Sequence, residues 1–303
     1  MTRALRYGLV TTGLVLTVCA VLALVAGTAL TAASRQLAPF TGRTVGTVSA
    51  VDGNRVEVRW TPEGGTERTD PVELAGPAPP VGTRTEVAYD PDAPGTPLVP
   101  GAAVLADADS ELGTLYLAAT VAALVVLVGG WQLSSRRHAA ARPARSVPVR
   151  RVRIQSGLIA RSWLETETAP HRWIPVHFDP VLVGLPSPAT VRVHGDPLRD
   201  RLVAVDVEGR VLHPSGPVRT REPRGRRTDN PAAPDASTIE RMARLAPLRR
   251  QFRADLPLLL PAPIAALLWT VVDGAGITTW TATTALLGAL GLWLAALRGS
   301  DPS

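Results

Sequence analysis

The residues best suited to chemistry in this chain are three polar side chains close together in its second half: His171, His177 and Asp179. Side chains alternate along a strand, so His177 and Asp179 would face the same side and could bind a metal ion. Two such ligands on one strand are too common to be diagnostic. We therefore favour ordinary surface or partly buried polar residues, and we predict no metal site here.

The other candidate residues are equally weak. His194-Gly195-Asp196 is typical of a turn rather than of a catalytic pair. The sequence contains no glycine-rich dinucleotide motif, no phosphate-binding loop ending in Lys, no His-Glu-x-x-His and no Gly-x-Ser-x-Gly. The single cysteine, Cys19, excludes an intramolecular disulfide. We predict no catalytic residue, no cofactor and no enzymatic activity.

A basic stretch at residues 219–227 contains five arginines and a single glutamate. Nucleic-acid-binding surfaces usually interleave aromatic residues with such charges, and none occurs in this stretch. Contact with anionic lipid or with solvent is therefore favoured, and no nucleic acid partner is expected.

The elements that must carry these residues are dominated by four apolar segments. The uncharged runs between Arg6 and Arg35, Glu111 and Arg136, Asp255 and Asp273, and Asp273 and Arg298 are 28, 24, 17 and 24 residues long by subtraction. About 20 apolar residues are needed to cross a bilayer as a helix. We predict transmembrane helices at 7–30, 112–133, 256–272 and 277–297, with the first helix in an N-terminal segment, 1–33, and a turn at 273–276 between the last two. For the third segment a buried soluble helix is the alternative, and Pro261 and Pro263 should bend or shorten it.

The arginines predict the orientation of these helices. All 32 basic residues are Arg, a bias typical of a GC-rich genome. Residues 34–113 hold 6 Arg against 12 acidic residues, whereas residues 134–255 hold 23 Arg against 12 acidic residues. Because arginine-rich flanks stay in the cytoplasm, we expect a multi-pass cell membrane protein with both termini cytoplasmic. The first segment could instead be a cleaved signal peptide, but its length favours an uncleaved anchor.

The extracytoplasmic segment, residues 34–111, is predicted to be a small β-domain. Residues 55–60 alternate between apolar and charged side chains, as a half-buried strand does. Further strands are expected at 46–48, 66–74 and 83–89, and about five strands would suit a compact barrel or curled sheet. Trp60 and Tyr89 should cover its core, with the Tyr89 hydroxyl facing water. A ligand-binding aromatic corner is the alternative for Tyr89.

The first part of the chain resembles a known family. The Gly46-Thr47-Val48 strand follows a membrane anchor, and the run from Val81 to Pro94 reads V-G-x-x-x-x-V-x-Y-x-P-x-x-P close to a second anchor. On these residues, segment 8–133 resembles the domain of unknown function 3592, which is common in actinobacterial membrane proteins. The rest resembles uncharacterised actinomycete integral membrane proteins. The resemblance implies the helix, β-domain, helix layout and no activity.

The cytoplasmic segment, residues 134–234, is predicted to be a second small β-domain, a barrel or a sandwich, followed by a Pro- and Arg-rich loop. Six strands are expected, at 147–154, 157–167, 172–179, 189–194, 202–207 and 210–213. Trp163 and Trp173 should be core residues. Residues 214–234 are assigned to the loop, residues 235–255 to an interfacial amphipathic helix interrupted by Pro247, and residues 298–303 to a cytoplasmic tail.

Together these features predict a polytopic α-helical membrane protein with four transmembrane helices and two small all-β soluble domains, one on each side of the membrane. The expected surroundings are the lipid bilayer, anionic lipid at the arginine-rich segments, and a protein partner or a second copy of the chain. A non-catalytic cell-envelope scaffold or accessory subunit is the favoured function. A membrane sensor whose extracytoplasmic β-domain binds a ligand or partner is the alternative.

Overall fold

The structure is a computed structural model that describes residues 2–274 and 276–303. Met1, in the predicted segment 1–33, and Ala275, in the predicted turn 273–276, lie outside the described residues. The chain divides into a smaller unit, Ala20–Val121, and a larger unit, Met1–Cys19 with Ala122–Ser303.

The described residues form six α-helices and eleven strands. The helices are α1 Arg3–Leu37, α2 Ala103–Ala140, α3 Ala236–Leu245, α4 Leu248–Asp255, α5 Pro261–Asp273 and α6 Ile277–Arg298. The first four strands are β1 Gly42–Asp52, β2 Arg55–Trp60, β3 Arg68–Glu73 and β4 Arg84–Tyr89. The other seven are β5 Ala144–Ser156, β6 Ile159–Thr166, β7 Trp173–Val176, β8 Ala189–His194, β9 Ala204–Val207, β10 Arg210–Leu212 and β11 Arg226–Asp229.

Within the described residues, four helical segments are long and apolar enough to cross a membrane: Arg3–Leu37, Ala103–Ala140, Leu248–Val272 and Ile277–Arg298. They contain the four predicted spans, and α1 and α2 extend beyond the predicted ends on both sides. The prolines of the third segment have the expected effect, because a 3-10 turn at Leu256–Leu259 separates α4 from α5 and Pro261 begins α5. Trp280 of α6 donates through Nε1 to the carbonyl of Pro263 over 3.0 Å, which joins the last two helices.

The smaller unit holds an antiparallel sheet in the order β3-β2-β1-β4. Strand β2 has the predicted bounds, and its alternation buries Val56, Val58 and Trp60 while its charged residues stay exposed. The sheet has four strands rather than about five. Residues 98–102 take the place of a fifth strand, because they pair with both edges of the sheet. Leu98 bridges to Ala88 in β4, and Ala102 bridges to Leu74 just after β3. A compact curled sheet therefore encloses this core, as predicted.

The larger unit holds a seven-stranded sheet, in which six strands follow the order β10-β9-β8-β5-β6-β7 and the seventh, β11, pairs with β5. Backbone hydrogen bonds join β7 to the chain just after β10: Ser215 donates to Pro175, and Trp173 and Arg219 donate to each other. Because these bonds connect the two edges of the sheet, it closes into a small barrel. Its core contains mainly aliphatic residues, among them Leu164, Ile174, Leu182, Val193 and Val205.

The seventh strand, β11, lies in the segment that the sequence assigned to the Pro- and Arg-rich loop. It pairs with β5 from Val152 to Gln155, beyond the part of β5 that pairs with β8. The loop prediction for 214–234 is therefore wrong for Arg226–Asp229. Gly225 permits the approach: its φ is +148°, and a Cβ there would lie 2.4 Å from the carbonyl oxygen of Gln155.

The predicted amphipathic helix 235–255 forms two helices, α3 and α4, divided at Pro247. Asp235 caps α3 by accepting from the Thr238 amide over 2.8 Å, and hydrogen bonds from Thr238 and Ser237 lower the pKa of Asp235 to about 2. Met242 and Leu245 pack against the barrel beside Phe178 and Val183. Part of the apolar face therefore contacts protein, while Ile239 stays exposed.

Candidate functional site

The three residues that the sequence singled out have separate roles in the structure. Strand β7 ends at Val176, so the alternation that would place His177 and Asp179 on one side of a strand does not extend to them. His177 is buried, whereas Asp179 caps the following turn through the Val181 amide over 3.1 Å. His171 is exposed and contacts the carbonyl of Thr166. Within residues 2–274 and 276–303 no group of three His, Cys, Asp or Glu is placed to hold a metal ion.

His194 and Asp196 act as turn residues, as predicted. His194 Nδ1 lies 3.0 Å from the carbonyl oxygen of Arg142 at the end of β8. Asp196 accepts from the Leu198 amide over 2.9 Å and lies 3.2 Å from Arg145. The Leu198 hydrogen bond, assisted by Arg145, lowers the pKa of Asp196. These contacts stabilise the turn, and none of them joins a nucleophilic side chain to a base.

A buried polar cluster that the sequence did not predict lies at the chain end. Asp301 Oδ2 accepts from Arg151 Nη2 over 2.7 Å and from Ser162 Oγ over 2.6 Å. The Asp301 amide donates to the carbonyl of Ala160 over 2.8 Å, which adds the chain end to β6. Arg151 also donates through Nη1 to Asn230 over 2.8 Å. Within the predicted cytoplasmic tail 298–303, Ser300 and Asp301 are therefore buried against β6 as part of the barrel wall.

A second polar cluster, beside the first, joins two helices, α1 and α4, to the residues after α6. Asp255 Oδ2, at the end of α4, accepts from Tyr7 OH over 2.6 Å and from Ser300 Oγ over 2.8 Å. Gln251 donates to Ser300 Oγ over 3.1 Å and accepts from Arg3 Nε over 3.2 Å. Asp255, Gln251 and Ser300 are buried. We call this set and the Asp301 cluster together the polar junction, because they tie the start of α1, the end of α4 and the residues after α6 to the barrel.

Arg3 extends the polar junction to the end of α3. Its guanidinium donates to the carbonyl of Leu245 and, over 2.7 Å, to that of Ala246. These are carbonyls that the end of a helix leaves without partners, and an arginine there also complements the helix dipole. The first residues of α1 are thus fixed against α3 and α4.

Two histidines lie at a cleft of about 540 Å³ beside the start of α1. The His177 amide donates to the carbonyl of His213 over 3.0 Å, and neither His177 Nε2 nor His213 Nδ1 has a hydrogen-bond partner within the described part of the chain. Burial, with positive charge from Arg136, His213 and Arg161, holds the pKa of His177 well below its ordinary value. Burial also lowers the pKa of His213. Both rings are therefore neutral near pH 7.

Asp179 also lines this cleft, and its carboxylate is occupied: Oδ1 lies 3.3 Å from Arg210 Nη1 and accepts from the Val181 amide over 3.1 Å.

A larger cavity of about 850 Å³ lies on another face of the barrel, between β6 and residues 218–224. Its arginines are Arg161, Arg219, Arg221, Arg224 and Arg298, and Trp163 lines it as well. We call it the arginine pocket. The predicted basic stretch 219–227 supplies three of these arginines, and the other two come from β6 and the last position of α6.

Trp60 and Tyr89 form the centre of the smaller unit. Their rings lie 5.1 Å apart and both side chains are buried. The Tyr89 hydroxyl does not face water: it accepts from the Glu63 amide over 3.0 Å. Trp60 Nε1 donates to Asp70 over 2.9 Å. In the larger unit Trp163 is buried as predicted, whereas Trp173 is only partly buried.

Comparison with known protein families, with curated proteins and with solved structures gives no match to this chain. The resemblance of residues 8–133 to the domain of unknown function 3592 therefore depends on the residues quoted for it alone. The class that fold and site define is a protein with four helices able to span a membrane, combined with two small β-domains.

Proposed function

We propose that this protein is a non-catalytic scaffold or accessory subunit of the cell membrane, with both termini and the barrel of the larger unit in the cytoplasm. The observation that carries the proposal is the polar junction. It fixes the barrel to α1, α4 and the residues after α6 through buried hydrogen bonds of 2.6 to 2.8 Å that the carboxylates of Asp255 and Asp301 accept. A β-barrel that is rigidly attached to apolar helices in this way suits a protein that holds a partner at the membrane surface.

The orientation rests on charge. The arginines that flank the four apolar helices, together with the net positive segment 134–255, favour the cytoplasmic side for the barrel. The acidic segment 34–111 then lies outside. The resemblance of residues 8–133 to membrane proteins with a helix, β-domain, helix layout agrees with this orientation.

A scaffold is favoured over a sensor because the two aromatic residues at the centre of the smaller unit are occupied. Tyr89 and Trp60 are buried against each other, and the polar atom of each already has a protein partner. A ligand would have to displace these contacts. The unit therefore offers a folded surface for a partner rather than an aromatic corner for a small molecule.

The orientation is tested by labelling single cysteines in a Cys19→Ser background. Thr66→Cys in the smaller unit and Ser156→Cys in the larger unit are exposed positions. We expect a membrane-impermeant maleimide to label Thr66→Cys in intact cells and Ser156→Cys only after permeabilisation. The reverse pattern would contradict the orientation.

The function is tested by purification of the full chain in a mild detergent, with quantitative mass spectrometry of what stays bound. We expect a protein partner at fixed stoichiometry, which Asp301→Ala loses while the exposed control Glu240→Gln retains it. A chain that purifies without a partner, together with ligand-dependent protection of residues 44–100 from proteolysis, would instead support the sensor.

A further inference from the structure

The arginine pocket gathers positive charge without a neutralising acid. Among the described residues that line it, the one carboxylate is that of Glu222, which pairs with Arg227 over 2.8 Å. None of the five forms a salt bridge with any residue that the structure describes. Converging cations of this kind repel one another, and an anion in the cavity would remove that repulsion.

Arg161 shows most clearly that the charge is uncompensated. Its guanidinium donates to neutral oxygens: the carbonyl of Arg298 over 2.8 Å, and the carbonyl and hydroxyl of Ser215 over 3.1 and 3.2 Å. Burial, together with the charges of Arg219 and Arg298, lowers the pKa of Arg161 to about 10. The side chain is held in place by the fold, while its charge has no counterion among residues 2–274 and 276–303.

Trp163 organises the pocket. Arg161 lies 4.8 Å and Arg219 lies 5.3 Å from the ring centroid, both within the range of cation–π contacts. The buried indole therefore positions two guanidinium groups in advance. Planar guanidinium groups bind phosphate oxygens in pairs, which makes a phosphate-bearing group the best match to this arrangement.

The position of Arg298 favours a lipid as the source of the phosphate. Arg298 is the last residue of α6, which is long and apolar enough to cross a membrane. The pocket thus opens where α6 would leave the hydrocarbon, at the depth of lipid headgroups. Its volume of about 850 Å³ also exceeds what an inorganic phosphate fills.

We propose that the arginine pocket binds the phosphate-bearing headgroup of an anionic lipid, held by Arg161 and Arg219 on Trp163 and by Arg221, Arg224 and Arg298 at the rim. This site goes beyond the proposed scaffold function and does not depend on it. It fixes the barrel to the bilayer surface at a defined point, in addition to the diffuse attraction of a basic surface for anionic lipid.

The test uses the purified full chain in a neutral detergent and a fluorescent short-chain phosphatidylglycerol, with binding followed by anisotropy. Arg221→Gln/Arg224→Gln removes two exposed rim arginines. The matched control, Arg199→Gln/Arg201→Gln, removes two exposed arginines that are similarly spaced, lie in the same unit and do not line the pocket. We expect the rim variant to bind about tenfold more weakly, as loss of charge-assisted contacts predicts, and the control to stay within about twofold of the wild type.

Competition identifies the source of the phosphate. Unlabelled phosphatidylglycerol should displace the probe, whereas phosphatidylcholine, inorganic phosphate and a short single-stranded RNA at the same concentration should not. Equal displacement by inorganic phosphate or by RNA would overturn the lipid assignment. Equal weakening in the rim and control variants would overturn the pocket itself, since it would show diffuse charge attraction only. Arg298→Gln provides a second variant if the rim variant unfolds, which its melting temperature without lipid reports.

Discussion

Asp301, two residues from the chain end, accepts a hydrogen bond from Arg151 across a separation of 150 residues. The Arg151 Nη2 to Asp301 Oδ2 distance is 2.7 Å, and the exposed fractions of the two side chains are 5% and 0%. A buried ion pair contributes little net stability by itself, but it becomes costly when one partner is removed. The end of the chain is therefore sensitive to substitution.

Asp301→Ala should strongly destabilise the larger unit, because it leaves the Arg151 charge buried and takes a partner from Ser162. Loss of one member of a buried pair costs about 3–5 kcal/mol. Thermal unfolding of the purified chain measures the effect. Glu240→Gln, which removes the exposed pair with Arg244, is the control and should change stability by less than about 1 kcal/mol. Equal effects of the two substitutions would contradict the buried pair.

Gly299 should tolerate alanine less well than Gly274, although both have the same backbone conformation. Their φ angles are +70° and +66°, so a Cβ adds similar strain at each, about 1–2 kcal/mol. At Gly299 that Cβ would also lie 2.7 Å from the Cβ of Ser215, whereas at Gly274 it would meet no described atom within 4 Å. Gly299→Ala should lower the melting temperature more than Gly274→Ala, and equal shifts would mean that the residues after α6 are not packed on the barrel.

Tyr89→Ala should destabilise the smaller unit by about 3–5 kcal/mol, because it removes a large buried ring from a small core. Tyr89→Phe loses only the hydrogen bond from Glu63 and should cost about 0.5–1.5 kcal/mol. Limited proteolysis of residues 44–100 measures both. An alanine variant that resists protease like the wild type but no longer binds an identified partner would make Tyr89 a recognition residue.

His177 should make the stability of the larger unit depend on pH. In the unfolded chain the ring takes up a proton as the pH falls through about 6.5, whereas burial keeps it neutral in the folded chain. The unfolded state then binds more protons, so below that pH this residue lowers the free energy of unfolding by about 1.4 kcal/mol per pH unit. Above it the contribution is absent.

Chemical denaturation between pH 7.5 and 5.0 measures this dependence. His177→Gln should reduce the slope of the free energy of unfolding against pH by the equivalent of about one proton taken up on unfolding. His213, whose pKa is also lowered by burial, retains its own contribution to that slope. Ser156→Ala, an exposed substitution that removes no titratable group, is the control and should keep the wild-type slope. A His177→Gln slope equal to that of the wild type would mean that the ring is protonated inside the fold.

The sequence by itself determined the elements whose signal is local. The four apolar segments follow from the absence of charge over the length of a bilayer, and they all appear as long apolar helices. Strand β2, Arg55–Trp60, and strand β8, Ala189–His194, have the predicted bounds. The reason is that a half-buried strand alternates between apolar and polar side chains, a pattern visible within a few neighbouring residues. Trp60 and Tyr89 were identified as core residues for the same reason.

Only the tertiary structure decided what joins distant parts of the chain. Strand β11 has four polar residues and no apolar alternation, so its place beside β5 comes from the neighbouring barrel and from Gly225. Residues after Arg298 look like a solvated tail, since Gly, Ser, Asp and Pro favour loops. Their burial depends on Arg151 and Ser162, more than 130 residues away, and no local spacing encodes a partner at that separation.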